Sequence, residues 1–212
     1  MTRIKFCGLT RERDAAMAAE LGAAYVGVIF AGGPRAIEPT RAREVLDAAG
    51  SVQRVGVFGS QSPAEVGRMA GIAALDVVQL HADPTPAEVD AMRDHFGGAV
   101  WAVVRSDGSL PDDLAALAAR ADGILLDARV PGALGGSGVP LPWATVRRQI
   151  IDLRLAVPIV LAGGLRPGNV VEAVRAFAPA VVDVSSGVEH LPGIKDHGLM
   201  RAFAGALAQL PE

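Results

Sequence analysis

Several things are scarce in this sequence, and each scarcity excludes something. Cysteine occurs once, as Cys7, and lysine twice, as Lys5 and Lys195. One cysteine cannot close an internal disulfide, which excludes a stapled secreted scaffold and fits a reducing cytoplasm. There is no run of about 18 apolar residues and no basic-apolar-small leader at the start. Neither a membrane span nor secretion is expected. The net charge is −3 with no long basic run, which argues against nucleic acid as a partner. HExxH, CxxC and Walker A sequences are missing, as is a GxGxxG after the first strand. Metal, nucleotide and nicotinamide chemistry therefore lack motif support.

What is present is a globular α/β chain. Over 212 residues, half the side chains are hydrophobic and 20% charged, too apolar for disorder and long enough for a sizeable core. Short apolar runs alternate with helical patterns. Strands are predicted at 3–7, 24–30, 54–58, 76–81, 99–104, 123–127, 157–162 and 180–184. Helices follow them: one capped by Thr10, one capped by Thr40, one opened by Ser62-Pro63, then 84–96, 111–120, 142–153, 166–177 and 198–210. A Gly-rich loop covers 128–140. Strict alternation means a parallel sheet. Eight units without a composition break favour one closed (β/α)₈ barrel, a TIM barrel spanning 1–212 as a single domain. An open doubly wound sheet is the alternative, but it leaves two edges and usually has fewer strands.

The polar residues collect at strand C-terminal ends, where this architecture keeps its chemistry. Cys7, His81, Arg105, Asp127, Gly163-Gly164 and Ser185-Ser186-Gly187 all fall there. A lone cysteine is more often a small buried hydrophobe than a reactive group; its company at one barrel mouth argues otherwise. Asp127 could simply cap a helix, yet a thiol and a carboxylate at one mouth form a proton-transfer pair. The glycine pair after strand 7 and the Ser-Ser-Gly after strand 8 sit where barrels of this type bind phosphate, although Gly and Ser are also ordinary turn residues. Arg35, after Gly33-Pro34, has the fork to grip a carboxylate. His81 either lines the mouth or caps its strand, and the structural role is preferred. Lys5 lies two residues before Cys7 on the same strand face. Asp183 is on strand 8, which adjoins strand 1 if the barrel closes. A buried Lys5–Asp183 pair beneath Cys7 is expected, with Lys5 favouring the thiolate; the alternative is an Asp183 that faces outward and caps a helix.

Taken in order, these residues resemble the phosphoribosylanthranilate isomerase family of tryptophan biosynthesis. The resemblance covers nearly the whole chain. It runs through Lys5-Phe6-Cys7-Gly8-Leu9-Thr10, Pro34-Arg35-Ala36-Ile37, Gln79-Leu80-His81, Leu126-Asp127 and Gly135-Gly136-Ser137-Gly138. It continues through Ala162-Gly163-Gly164-Leu165 and Val182-Asp183-Val184-Ser185-Ser186-Gly187-Val188-Glu189, then Gly193 and Lys195-Asp196. Three positions depart from the family's habit: Gly33 where a small polar residue is usual, Ala82 where Gly is frequent, and Ser137 where Thr is common.

The resemblance implies a (β/α)₈ fold, no cofactor, and an Amadori rearrangement of N-(5'-phosphoribosyl)anthranilate, a phosphorylated small molecule. It implies Cys7 as general base at C2' and Asp127 as general acid at the ring oxygen. Arg35 would hold the anthranilate carboxylate, and the backbone N–H groups of Gly164, Ser186 and Gly187 would hold the phosphate. A monomer or a homodimer is equally compatible. Two rivals stay open. The sister isomerase of histidine biosynthesis resembles this chain in fold but typically has Asp at the strand 1 end. A catalytically silent phosphosugar-binding barrel would be expected to lack Cys7 or Asp127.

Overall fold

Strands that are apolar on both faces need cover on both, and the chain supplies it by closing the sheet on itself. In the computed structural model, which describes residues 1–128 and 143–210, eight parallel strands form a closed barrel in sequence order. The elements are β1 (Arg3–Phe6), α1 (Glu12–Glu20), β2 (Tyr25–Ile29), α2 (Pro39–Asp47), β3 (Gln53–Phe58) and α3 (Pro63–Ala73). Then come β4 (Val77–Leu80), α4 (Pro86–Arg93), β5 (Ala99–Ser106), α5 (Leu114–Ala118), β6 (Gly123–Ala128) and α6 (Trp143–Leu153). The last are β7 (Ile159–Leu161), α7 (Val170–Phe177), β8 (Val181–Val184), β9 (Glu189–Leu191), β10 (Ile194–Lys195) and α8 (His197–Ala208). The open-sheet alternative is thereby excluded: β1 pairs β8, with Lys5 opposite Asp183. The Gly-rich loop with Gly135-Gly136-Ser137-Gly138 lies outside the described residues.

Side-chain alternation splits the core in two. Tyr25, Val55, Val77, Trp101, Leu125, Val160 and Val181 fill the barrel interior. Tyr25 and Trp101 meet edge to face at 4.9 Å, and the Arg3 guanidinium lies 5.3 Å over the Tyr25 ring. The alternate residues, among them Phe6, Val26, Val28, Ile124 and Val182, face the helices. Both faces of each strand are thus buried, as all-parallel sheets require.

Helix starts follow local chemistry, and several differ from expectation. Ser62 and Thr85 each form a capping box, with Glu65 and Glu88, and each is followed by a proline in the first turn. The second box starts α4 at Pro86 and not at Pro84. Thr10 does not cap α1, because its hydroxyl is committed to Gly193 O; Arg11 holds the N-cap position. Thr40 does not cap α2 either. Pro39 occupies the first turn after Glu38, where its fixed φ and missing N–H suit a helix start. The segment before α8, expected to be loop, contains a 3₁₀ turn (Ser186–Val188) and an antiparallel hairpin of β9 and β10. Asp196 then caps α8, accepting from Gly198 N at 2.7 Å and Leu199 N at 3.0 Å. No helix among the described residues is long and apolar enough to cross a membrane.

Candidate active site

The barrel's C-terminal mouth opens into a cavity lined by Cys7, Arg35, Gln79, His81, Asp127, Gly163, Gly164, Asp183, Ser185 and Ser186. Seven strands, all but β5, and their following loops contribute. Five of the six expected site residues, Cys7, Arg35, Asp127, Gly164 and Ser186, meet here. Gly187, the sixth, packs just behind: a Cβ there would fall 1.9 Å from Leu165 O, so the loops after β7 and β8 touch backbone to backbone. Arg105 does not join them. It turns to Asp83, Nε to Oδ1 at 3.0 Å, and lines a separate cleft with Asp83, Asp107 and Ser109.

Cys7 sits one residue past β1, its N–H donating to Val184 O at 2.9 Å. Its side of the cavity is fully buried charge. Lys5 Nζ donates to Asp183 Oδ2 at 2.9 Å and, reaching across the barrel, to Gln79 Oε1 at 3.0 Å. The expected ion pair is therefore present. Two buried charges that would each be costly alone satisfy one another. Gly27 on β2 makes room for them: a Cβ there would meet Cys7 Sγ at 3.0 Å and Lys5 Cε at 3.2 Å. Asp183 Oδ1 has no hydrogen-bond partner among the described residues.

Lys5 acts on the thiol in the expected direction, but it does not decide the outcome. Burial pushes the Cys7 pKa up, and Asp183 pushes the same way. The cations Lys5 and Lys195 oppose this without reversing it. Lys5 itself is held above its ordinary value: burial works against the ammonium, but Asp183 and Cys7 together outweigh it.

Asp127 lies on the opposite side. Its Oδ1 accepts from Ala128 N at 2.8 Å, and Oδ2 is 3.8 Å from His81 Nε2. Burial pushes its pKa up to about 6, Asp183 adding to the rise while Ala128 N–H, Lys5 and Arg105 work against it. The preferred structural role for His81 gives way here: the imidazole lines the cavity beside Asp127. The tautomer follows from donor logic. An ammonium only donates, so Gln79 Oε1 faces Lys5. The Gln79 amide then donates to His81 Nδ1 at 3.3 Å, which leaves the proton of a neutral ring on Nε2, toward Asp127. Gln79 was missed by sequence reasoning; a polar residue in mid-strand, two before His81, was the available signal.

The third region is built from turns. Gly163 and Gly164 have φ of +85° and +65°, the left-handed region that favours glycine. Asn169 ties the turn, accepting from Arg166 N at 2.8 Å and donating to Gly164 O at 3.0 Å. That use of residues 165–169 explains why α7 begins at Val170 and not at Arg166. Arg35, finally, is not idle in its loop. Nε and Nη2 donate to Glu189 Oε1 and Oε2 at 2.9 and 2.7 Å.

A closed parallel barrel with a thiol, a carboxylic acid and glycine-rich turns around its C-terminal mouth defines a (β/α)₈-barrel enzyme. Residues 4–206 match the family model described as N-(5'phosphoribosyl)anthranilate (PRA) isomerase. The chain is 41% identical over 209 residues to the N-(5'-phosphoribosyl)anthranilate isomerase of Paramagnetospirillum magneticum, covering 96% of this chain and 95% of that protein. The crystal structure of phosphoribosyl anthranilate isomerase from Thermus thermophilus superposes with a TM-score of 0.88 at 36% identity, over 99% of this chain and all of that one. Another phosphoribosyl anthranilate isomerase structure, in complex with reduced 1-(o-carboxyphenylamino)-1-deoxyribulose 5-phosphate, gives 0.81 at 32% identity, over 99% of this chain and all of that one. The chain belongs to the phosphoribosylanthranilate isomerase family and is an isomerase.

Proposed function

We propose that this chain converts N-(5'-phosphoribosyl)anthranilate to 1-(2-carboxyphenylamino)-1-deoxyribulose 5-phosphate, with Cys7 as general base and Asp127 as general acid. The observation that carries the reading is their meeting in one buried mouth. Asp127, with a pKa of about 6, is protonated in about one molecule in ten at pH 7, where a solvated aspartate would be in about one in a thousand. It donates that proton to the ring oxygen as the C1'–O bond opens, and the anilino nitrogen supplies the electron pair. Cys7, as thiolate, takes the C2' proton from the resulting iminium. The enolamine takes a proton at C1' from the Cys7 thiol and gives its C2' hydroxyl proton to the Asp127 carboxylate, which leaves the amino ketone and restores both side chains with no cofactor and no redox partner.

Arg35 takes the anthranilate carboxylate on the guanidinium edge that Glu189 leaves open. The N–H groups of Gly164, Ser186 and Gly187 take the phosphate, and Asp183 Oδ1 accepts from a sugar hydroxyl. In this reading residues 1–212 act as one domain in the cytoplasm, as a monomer or homodimer, on one phosphorylated small molecule. The test follows anthranilate-type fluorescence after mixing the protein with freshly made phosphoribosylanthranilate, beside Cys7→Ser. Rapid loss with the native chain and little with the variant is the expected result. No loss with the native chain refutes the activity; equal loss with both refutes the base.

A further inference from the structure

The β9–β10 hairpin has no counterpart in the bare strand–helix repeat, yet it carries a charge cluster against the loop that holds Arg35. Three groups converge on Glu189 besides packing. Arg35 meets it with two parallel bonds, Lys195 Nζ donates to Oε1 at 2.8 Å, and Gly193 N donates to Oε1 at 3.2 Å. The Glu189 side chain is only 4% exposed, and that of Lys195 not at all. Lys195 is in turn fixed: Nζ donates to Ser185 O at 3.0 Å, and its backbone N–H to the buried Asp14 at 3.2 Å.

We propose that Glu189 is a positioning residue for the substrate's aromatic carboxylate, holding the Arg35 fork by one edge so that the other edge faces the mouth. The inference rests on the reading of Arg35 given above. Two physical points carry it. Fixing the plane of a guanidinium on a flexible stem lowers the entropy cost of two parallel bonds to a carboxylate, and Glu189 fixes that plane from a site itself tied down by independent donors. The charge count also suits the role. An isolated Arg–Glu pair is neutral and would repel an arriving carboxylate through Glu189. With Lys195 sharing the same Glu189, the cluster keeps one surplus positive charge, matched to one carboxylate.

The test measures affinity, by calorimetry, for reduced 1-(o-carboxyphenylamino)-1-deoxyribulose 5-phosphate and for its counterpart without the ring carboxylate. The ratio of the two is the readout; general damage moves both ligands together and leaves it unchanged. Glu189→Asp keeps the charge but is one methylene short. The expected result is about a tenfold loss for the carboxylate ligand with the other ligand unaffected. Glu189→Gln, which keeps the length but offers the Arg35 fork one oxygen in place of two, is expected to reduce the ratio as well, and it decides the matter if Glu189→Asp fails to fold. An unchanged ratio in these variants overturns the proposal. So does tighter binding by Glu189→Asp, which would make Glu189 a competitor for Arg35. Arg35→Gln separates the two layers: if the preference survives it, the reading of Arg35 itself is wrong.

Discussion

The two halves of the mouth receive the same treatment and need opposite outcomes. On the acid side, Asp127 is buried beside the His81 imidazole, and burial raises its pKa to about 6. On the base side, Cys7 is buried above Lys5, and burial again raises the pKa. Removing water favours the neutral form of any acid. For a general acid that is an advantage; for a general base it is a handicap. Burial alone therefore cannot build such a pair. The asymmetry has to come from charge, and Lys5 cannot supply it, since it acts on both groups; what differs is the second cation, fully buried Lys195 at the thiol and partly exposed Arg105 at Asp127.

The comparison breaks most visibly in turnover. Cys7→Ser and Asp127→Asn should each lower kcat by about 10²- to 10⁴-fold while binding of the reduced product analogue stays near native. Loss of binding in both would mean that these residues hold the mouth together and do not move protons.

The next effect is on stability and is confined to the acid side. The ordinary Asp127 pKa is 3.8 and its folded value about 6. Below pH 4 both states are protonated and the difference contributes nothing. As pH rises from about 4 to 6 the unfolded chain releases a proton that the folded chain retains, so stability falls and stays lower above pH 6. The loss amounts to about 3 kcal/mol at most. Asp127→Asn should remove it, raising stability at pH 8 but not at pH 3.5 in urea titrations. Equal effects at both values would assign the change to packing.

On the base side, Lys5→Met takes away one of the charges opposing burial. The Cys7 pKa, read by pH-dependent alkylation, should rise further. An unchanged value would mean that Asp183 cancels Lys5 at the sulfur. The smallest expected effect tests whether the halves communicate. Gln79→Leu cuts the path from Lys5 to His81 and should lower kcat/KM about fivefold, the worth of one buried hydrogen bond.

The two halves also differed in how much of them the sequence revealed. Strand alternation put Lys5 under Cys7, and closure put Asp183 beside it, so the base side followed from a period of two and a count of eight. The acid side was legible for Asp127 but not for His81 or Gln79, because their roles depend on which face of β4 turns inward and on donor direction between side chains. The hairpin was missed entirely. Strands of three and two residues carry no periodic signal, and the Glu189–Arg35 contact spans 154 positions. Thr10 illustrates the same limit: a good cap by type, its hydroxyl was claimed by Gly193 O, a partner no local pattern announces.

The seam between β1 and β8 has a consequence in time. Lys5 and Asp183 are 178 positions apart, and the hairpin that braces Arg35 follows β8 in the chain. As a ribosome delivers the polypeptide, Cys7 is among the first residues made and its neighbours are among the last. Until then the thiol has no buried lysine beneath it, no hairpin beside it and no facing carboxylic acid held in place. The surroundings of the thiol cannot be complete before the eighth strand has been made and meets the first, so the mouth is among the last parts of the barrel that can assemble.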